Sequence, residues 1–81
     1  MNAVTIIVGE NCKKCEAMKS AVAEILSAHK IRSKIRLLQY STDEAVGLAI
    51  RHGFSQVPAV VVNGWAFTEF NESLFLEALK G

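Results

Sequence analysis

The chain has 81 residues, just over half of them apolar, and a formal net charge of +1. That length suits one unit with one core, read here as 1–81, and its scattered charges form no basic stripe interleaved with aromatics, which excludes nucleic-acid binding. The opening lacks the basic n-region and cleavage site of a secretory signal, and no segment approaches membrane-spanning length; the expectation is a soluble cytoplasmic protein with no membrane partner.

Ala3 to Val8 is short, β-branched and almost continuously apolar, the pattern of a strand covered on both faces. Gly9-Glu10-Asn11 breaks it, and Asn11 is the expected N-cap of a helix beginning at Cys12. Cys15, Met18, Ala21, Val22, Ile25 and Leu26 then recur at helical spacing, down to about His29. Lys34 to Tyr40 reads as a second strand, with Ile35 and Leu37 on one side. Lys34 and Arg36 lie on the other, alternating cations that suit a sheet edge.

Ser41-Thr42-Asp43-Glu44 matches a capping box, with Ser41 as cap and Glu44 reaching back. The second helix is expected to carry Val46, Ala49 and Ile50 inward and to stop at Gly53. Val57-Pro58 precedes a third strand, Ala59 to Val62. Asn63-Gly64 separates it from Trp65 to Thr68 and signals a tight hairpin, because a type I′ turn needs positive φ at both positions. Asn71 then caps a last helix holding Leu74, Phe75, Ala78 and Leu79. Trp65 is expected to pack, Phe54, Phe67 and Phe70 to lie in the core or at its margin, and Tyr40 simply to end a strand.

The order is β-α-β-α-β-β-α. A right-handed β-α-β start makes the first two strands parallel, and the hairpin makes the last two antiparallel. The expected fold is an α/β four-stranded mixed sheet with helices on both faces. Cys12 and Cys15 fall where the first strand meets the first helix, and open α/β sheets place their chemistry at such carboxyl ends.

In a reducing compartment, two cysteines at this spacing point to metal or redox chemistry before a permanent staple. Residues i and i+3 share a helix face, so the pair can close a small disulfide. Free N–H groups of the first turn favour a thiolate at Cys12, which assigns it the attack on a substrate disulfide. Cys15, one turn in, resolves the mixed disulfide. Lys13 and Lys14 add positive charge that favours the thiolate and an oxidising potential, although screening weakens exposed charges. A structural zinc site wants four ligands, and the chain offers only His29 and His52 besides the cysteines; no metal and no cofactor are expected. Val57-Pro58 fits either an ordinary strand start or a cis bond that turns the Val57 backbone toward an extended peptide.

Strand, Cys12-Lys13-Lys14-Cys15, helix, then Gln56-Val57-Pro58, strand and Asn63-Gly64 together resemble the thioredoxin and glutaredoxin family, specifically its short glutaredoxin-like members. The resemblance implies a thioredoxin-like fold, a cis Pro58 beside the dithiol, and thiol–disulfide exchange. Lys13 stands where the glutaredoxin motif has proline, and Asn11, Lys13 and Lys14 replace the thioredoxin tryptophan and Gly-Pro. At the family's glutathione site, Gly9 and Glu10 replace a lysine, Thr68 and Glu69 replace a Gly-Gly pair, and Asn71 and Glu72 replace an acidic pair. The implied protein is a monomeric protein-disulfide reductase, binding substrate through Lys13, Lys14, Val57 and Pro58. Its implied electron source is a thioredoxin-reductase-like partner rather than glutathione. A glutathione-dependent glutaredoxin, or a metal or iron–sulfur carrier through shared cysteines, is the alternative.

Overall fold

The computed structural model describes residues 3–80, so Met1, Asn2 and Gly81 of the 1–81 unit lie outside the described residues. Its elements are β1 (Ala3–Val8), α1 (Lys13–Ala28), β2 (Lys34–Gln39), α2 (Asp43–His52), β3 (Ala59–Val62), β4 (Trp65–Phe67) and α3 (Glu72–Leu79). They form one sheet in the order β2-β1-β3-β4. The α1 crossover leaves β1 and β2 parallel, while β3 is antiparallel to both β1 and β4. The predicted α/β architecture is the one observed.

Alternation along the two central strands builds the two layers. Val4 and Ile6 of β1, with Val60 and Val62 of β3, pack on Met18, Val22 and Leu26 of α1 and on Phe75, Ala78 and Leu79 of α3. On the opposite face Ile7 and Ala59 meet Ala45 of α2, with Leu38, Leu48 and Phe54 at the margin. Two helices therefore cover one face and a single helix the other. Phe54, Phe67 and Phe70 sit at core margins. Trp65 stacks on Phe67 with ring centroids 6.1 Å apart, yet stays 47 % exposed. Among the described residues no helix is long and apolar enough to cross a membrane.

The strand β2 is an edge, as its cations suggest. Ile35 and Leu37 stand opposite Val4 and Ile6 in register, hence on the two-helix face, but beyond the cover of α1; Leu37 is 51 % exposed. Arg36 points to the other face and donates to both carboxylate oxygens of Glu44 on α2, at 3.0 and 2.8 Å. The hairpin also forms as expected: Asn63 has φ 48° and Gly64 φ 82°. Glycine has no Cβ to clash there, and asparagine tolerates the left-handed region better than most residues.

Three local expectations need correction. Asn11 is not the cap of α1: it adopts φ 49°, whereas a cap needs extended backbone, and Cys12 (φ −106°, ψ 104°) takes that place. Ser41 does not cap α2. Thr42 is the extended residue, its Oγ accepting the Ala45 N–H at 3.2 Å. With the start moved by one residue Glu44 no longer sits at the third helical position, so it pairs with Arg36 instead of closing a capping box. Finally, Val46 and Ile50 do not point inward; they are 45 % and 78 % exposed, while Ala45 is buried. Two overlapping stripes fit the periodicity of α2, and packing selects the one carrying Ala45 and Leu48. A small residue at the contact lets the helix sit close to the sheet. The predicted cap of α3 holds, with Asn71 Oδ1 accepting the Leu74 N–H at 3.1 Å.

Candidate active site

Strand β1 delivers the chain to Gly9 at the carboxyl edge of the sheet, and the left-handed turn at Asn11 aims Cys12 into the start of α1. Because Cys12 is itself the cap, a sulfur occupies the place usually filled by a serine or asparagine oxygen. Its Sγ accepts the backbone N–H of Cys15 at 3.0 Å. The first helical carbonyl bond follows, from Glu16 N–H to Cys12 O at 3.3 Å. Cys12 and Cys15 are joined as a disulfide, their Cα atoms 5.2 Å apart.

The two sulfurs are not equivalent. Cys12 is half-buried, whereas Cys15, one turn into α1, is only 3 % exposed. The N–H of Gly9 points at Cys15 Sγ from 3.5 Å. Each sulfur therefore faces one backbone donor, and the Cys12 donor is reinforced by the positive end of the α1 dipole. Such donors stabilise a thiolate more than a thiol.

Two grooves flank the start of α1. One, of about 600 Å³, contains both cysteines, with Lys13, Glu16 and Lys19 on the helix side and Leu37 and Gln39 of β2 opposite. Glu16 and Lys19 pair there at 3.4 Å. The other, of about 480 Å³, runs between Lys14 and Met18 of α1 and the Val57-Pro58 segment, with Glu69 and Phe70 closing its far side. The structure thus splits the two lysines, Lys13 beside the sulfurs and Lys14 beside Pro58.

Val57 and Pro58 do not line the dithiol groove; they reach it through Gly9. A Cβ added to Gly9 would lie 3.1 Å from Val57 Cγ2, so the absence of a side chain lets Val57 close on the dithiol loop. The Val57–Pro58 peptide is cis, with Pro58 buried and Val57 half-buried. The two histidines lie apart from the cysteines. His29 ends α1 and faces Glu72 at 3.9 Å, and His52 ends α2. Among the described residues no group of three or more His, Cys, Asp or Glu is placed to hold a metal ion.

Sequence reasoning missed three contributors to this site: the Gly9 amide, the Leu37 and Gln39 wall from β2, and the direct Cys12 cap. The second depends on the parallel pairing of β1 and β2 and the first on the turn into α1, and no local motif announces either. The third was open to inspection, since Cys12 stands three residues before the amide it caps.

A family model described as a thioredoxin domain matches residues 2–69, which hold the dithiol, the Val57-Pro58 segment and all four strands. Solved structures with the same fold include an uncharacterized thioredoxin-like protein from Clostridium perfringens. It has a TM-score of 0.74 and 13 % identity, over 99 % of this chain and 69 % of that one. Thioredoxin O2 from Arabidopsis thaliana in its oxidized state gives 0.65 and 9 %, over 99 % and 73 %. A thioredoxin from Thermus thermophilus gives 0.57 and 20 %, over 98 % and 71 %. A search of curated proteins finds no significant match. With a thioredoxin-domain match over most of its length and a disulfide-forming CxxC pair at the head of α1, the chain belongs to the thioredoxin domain family and is a thiol–disulfide oxidoreductase.

Proposed function

We propose that the protein reduces disulfides in other proteins, with Cys12 as the attacking sulfur and Cys15 as the resolving one. Its oxidised pair is then reduced by a thioredoxin-reductase-like partner in the cytoplasm rather than by glutathione. The observation that carries this reading is the asymmetry of the pair, a half-buried Cys12 at the helix cap against a Cys15 that is 3 % exposed. A client disulfide can approach only the first.

The chemistry follows in two exchanges. The Cys12 thiolate attacks one client sulfur, and the other client sulfur leaves with the electron pair of the broken bond and takes a proton from solvent. Cys15, deprotonated, then attacks Cys12 Sγ. The intermolecular disulfide breaks, its electron pair leaves on the remaining client sulfur, and that sulfur is protonated in turn. The client gains two electrons and two protons, and Cys12–Cys15 becomes the disulfide. Closing the ring is intramolecular and needs little motion, since the two residues already share a helix face.

The groove beside Pro58 supports a peptide client over glutathione. Glu69 lies on its wall, and a carboxylate there repels the two carboxylates of glutathione. Lys13 and Lys14 are exposed and available to acidic groups flanking a client cysteine. The test is reduction of insulin alongside capture of mixed disulfides. Cys12→Ser should abolish reduction, and Cys15→Ser should accumulate a covalent client adduct. Equal loss in both variants with no adduct would sink the assignment. A titration in graded glutathione buffers, read by intact mass, addresses the electron source: a dominant glutathione adduct on Cys12 would overturn the preference for a reductase.

A further inference from the structure

We propose that the backbone N–H of Gly9 activates Cys15 for the second exchange, doing by a fixed amide dipole what a buried acid–base side chain would do elsewhere. The inference rests on the reading that Cys15 resolves the mixed disulfide. Cys15 is nearly inaccessible, and burial raises the cost of forming its thiolate. Something on the protein must offset that cost if the step is to run near neutral pH.

No side chain is placed to do so. Thr5 is the only buried polar or charged residue among those described, and it does not titrate. The elements packed around Cys15 offer few charges. From α1, Lys13, Glu16 and Lys19 line the adjoining groove, with Glu16 and Lys19 paired to each other. β2 contributes Leu37 and Gln39, β1 contributes Val8, and Gly9 follows it, with the Tyr40 ring packed beside Gly9. The Val57-Pro58 segment, packed on Gly9, carries no ionisable group. The direct polar contact to Cys15 Sγ is the Gly9 N–H at 3.5 Å.

That donor is held in place from three sides. The carbonyl of the same peptide unit, Val8 O, accepts the Tyr40 N–H at 2.9 Å, which fixes the amide plane and polarises it toward the sulfur. Val57 packs so close that a Cβ on Gly9 would crowd it, and β1 anchors the segment before it. A donor fixed before the charge appears costs nothing to reorient when the thiolate forms. The step itself is balanced: the Cys15 proton passes to solvent, its thiolate forms the bond to Cys12 Sγ, and the displaced sulfur carries away the electron pair.

The experiment uses a nitrobenzoate-type aromatic disulfide, Ellman's reagent, whose coloured thiolate leaves without needing a proton. Reaction with the reduced protein is biphasic: a second-order phase reports Cys12 attack, and a first-order phase reports Cys15 attack on the adduct. Ligation at Cys12 allows Gly9 to be replaced by glycolic acid, an ester that removes the N–H, adds no side chain and only weakens Val8 O as an acceptor. A hydrogen bond to an ionised acceptor is worth about one pKa unit or more. Its loss lowers the thiolate fraction about tenfold at neutral pH, while nucleophilicity rises about threefold per unit of pKa.

The expected result is a second phase slowed about threefold at neutral pH, with its midpoint moved up by about one unit and an alkaline plateau that is higher, not lower. The first phase stays within about twofold of the parent rate, because its own donor is untouched. An unchanged second phase, or equal slowing of both phases at every pH, overturns the proposal; absence of any second phase in the parent protein overturns the resolving role of Cys15 instead. Should the ester chain not fold, the amide resonance of Gly9 decides in reduced Cys12→Ser protein, where Cys15 is the one thiol. Its proton shift must follow the Cys15 titration, and a flat profile refutes the donor.

Discussion

Asn63 does two jobs that a set of substitutions can separate. Its backbone sits at φ 48° in the hairpin turn, and its side chain leaves the turn to donate from Nδ2 to Ala78 O at 2.9 Å and Leu79 O at 3.4 Å. Those carbonyls lie in the last turn of α3, where a helix supplies too few N–H donors for its own acceptors. Asn63→Gly keeps the turn geometry and removes the bond, at a cost of about 1 kcal/mol. Asn63→Ala removes the same bond and keeps a Cβ in the left-handed region without the polar side chain that lets asparagine tolerate it, adding about 1–2 kcal/mol. For a domain of this size each kcal/mol moves Tm by roughly 4–8 °C. Thermal unfolding should therefore rank parent, Gly and Ala about 4–8 °C and then about 8–24 °C below the parent. Asn63→Asp turns a donor toward two carbonyls into an acceptor and should fall below the glycine variant. A glycine variant as stable as the parent would refute the tie to α3; equal melting of Gly and Ala would refute the turn argument.

Two further predictions concern α2 and the core. Thr42→Ala should cost about 1 kcal/mol in urea unfolding, as loss of an N-cap does, while Ser41→Ala stays within about 0.5 kcal/mol of the parent; the reverse order would restore the capping box. Ile50→Ala should also stay within about 0.5 kcal/mol, because the side chain is 78 % exposed. Phe75→Ala removes the largest fully buried side chain among the described residues, and should cost about 3–5 kcal/mol. Circular dichroism of the two variants at matched urea concentrations gives the comparison.

What the sequence disclosed, and what it withheld, divides along a physical line. Signals carried by one residue and its immediate chain neighbours were legible. Asn63-Gly64 forces its turn because few residues accept two positive φ angles in succession, and Asn71 caps α3 because its oxygen reaches an amide three residues on. The cysteine pair was legible for the same reason, since its spacing alone sets a shared helix face. Choices between neighbouring candidates were not. Ser41 and Thr42 can both cap a helix, and the extended backbone of Thr42 decides. Val46 and Ile50 run parallel to the stripe of Ala45 and Leu48 along α2, and the fit against Ile7 and Ala59 decides.

The site shows the same division more sharply. Its reactive atoms come from four consecutive residues, but its surroundings are assembled by pairing in the sheet. Register places Leu37 beside Ile6 and Gln39 beside Val8, bringing a wall from β2 to the dithiol that no local motif announces. Gly9 belongs to both classes. Its position between strand and dithiol is local, but its consequences depend on Tyr40, one strand away, and on Val57, beyond two helices in the chain. A substitution at Gly9 must therefore act on the sulfur, the β1–β2 junction and the Val57-Pro58 segment together. For that reason a backbone ester, which removes the donor and leaves the position without a side chain, separates these effects better than any side chain placed there.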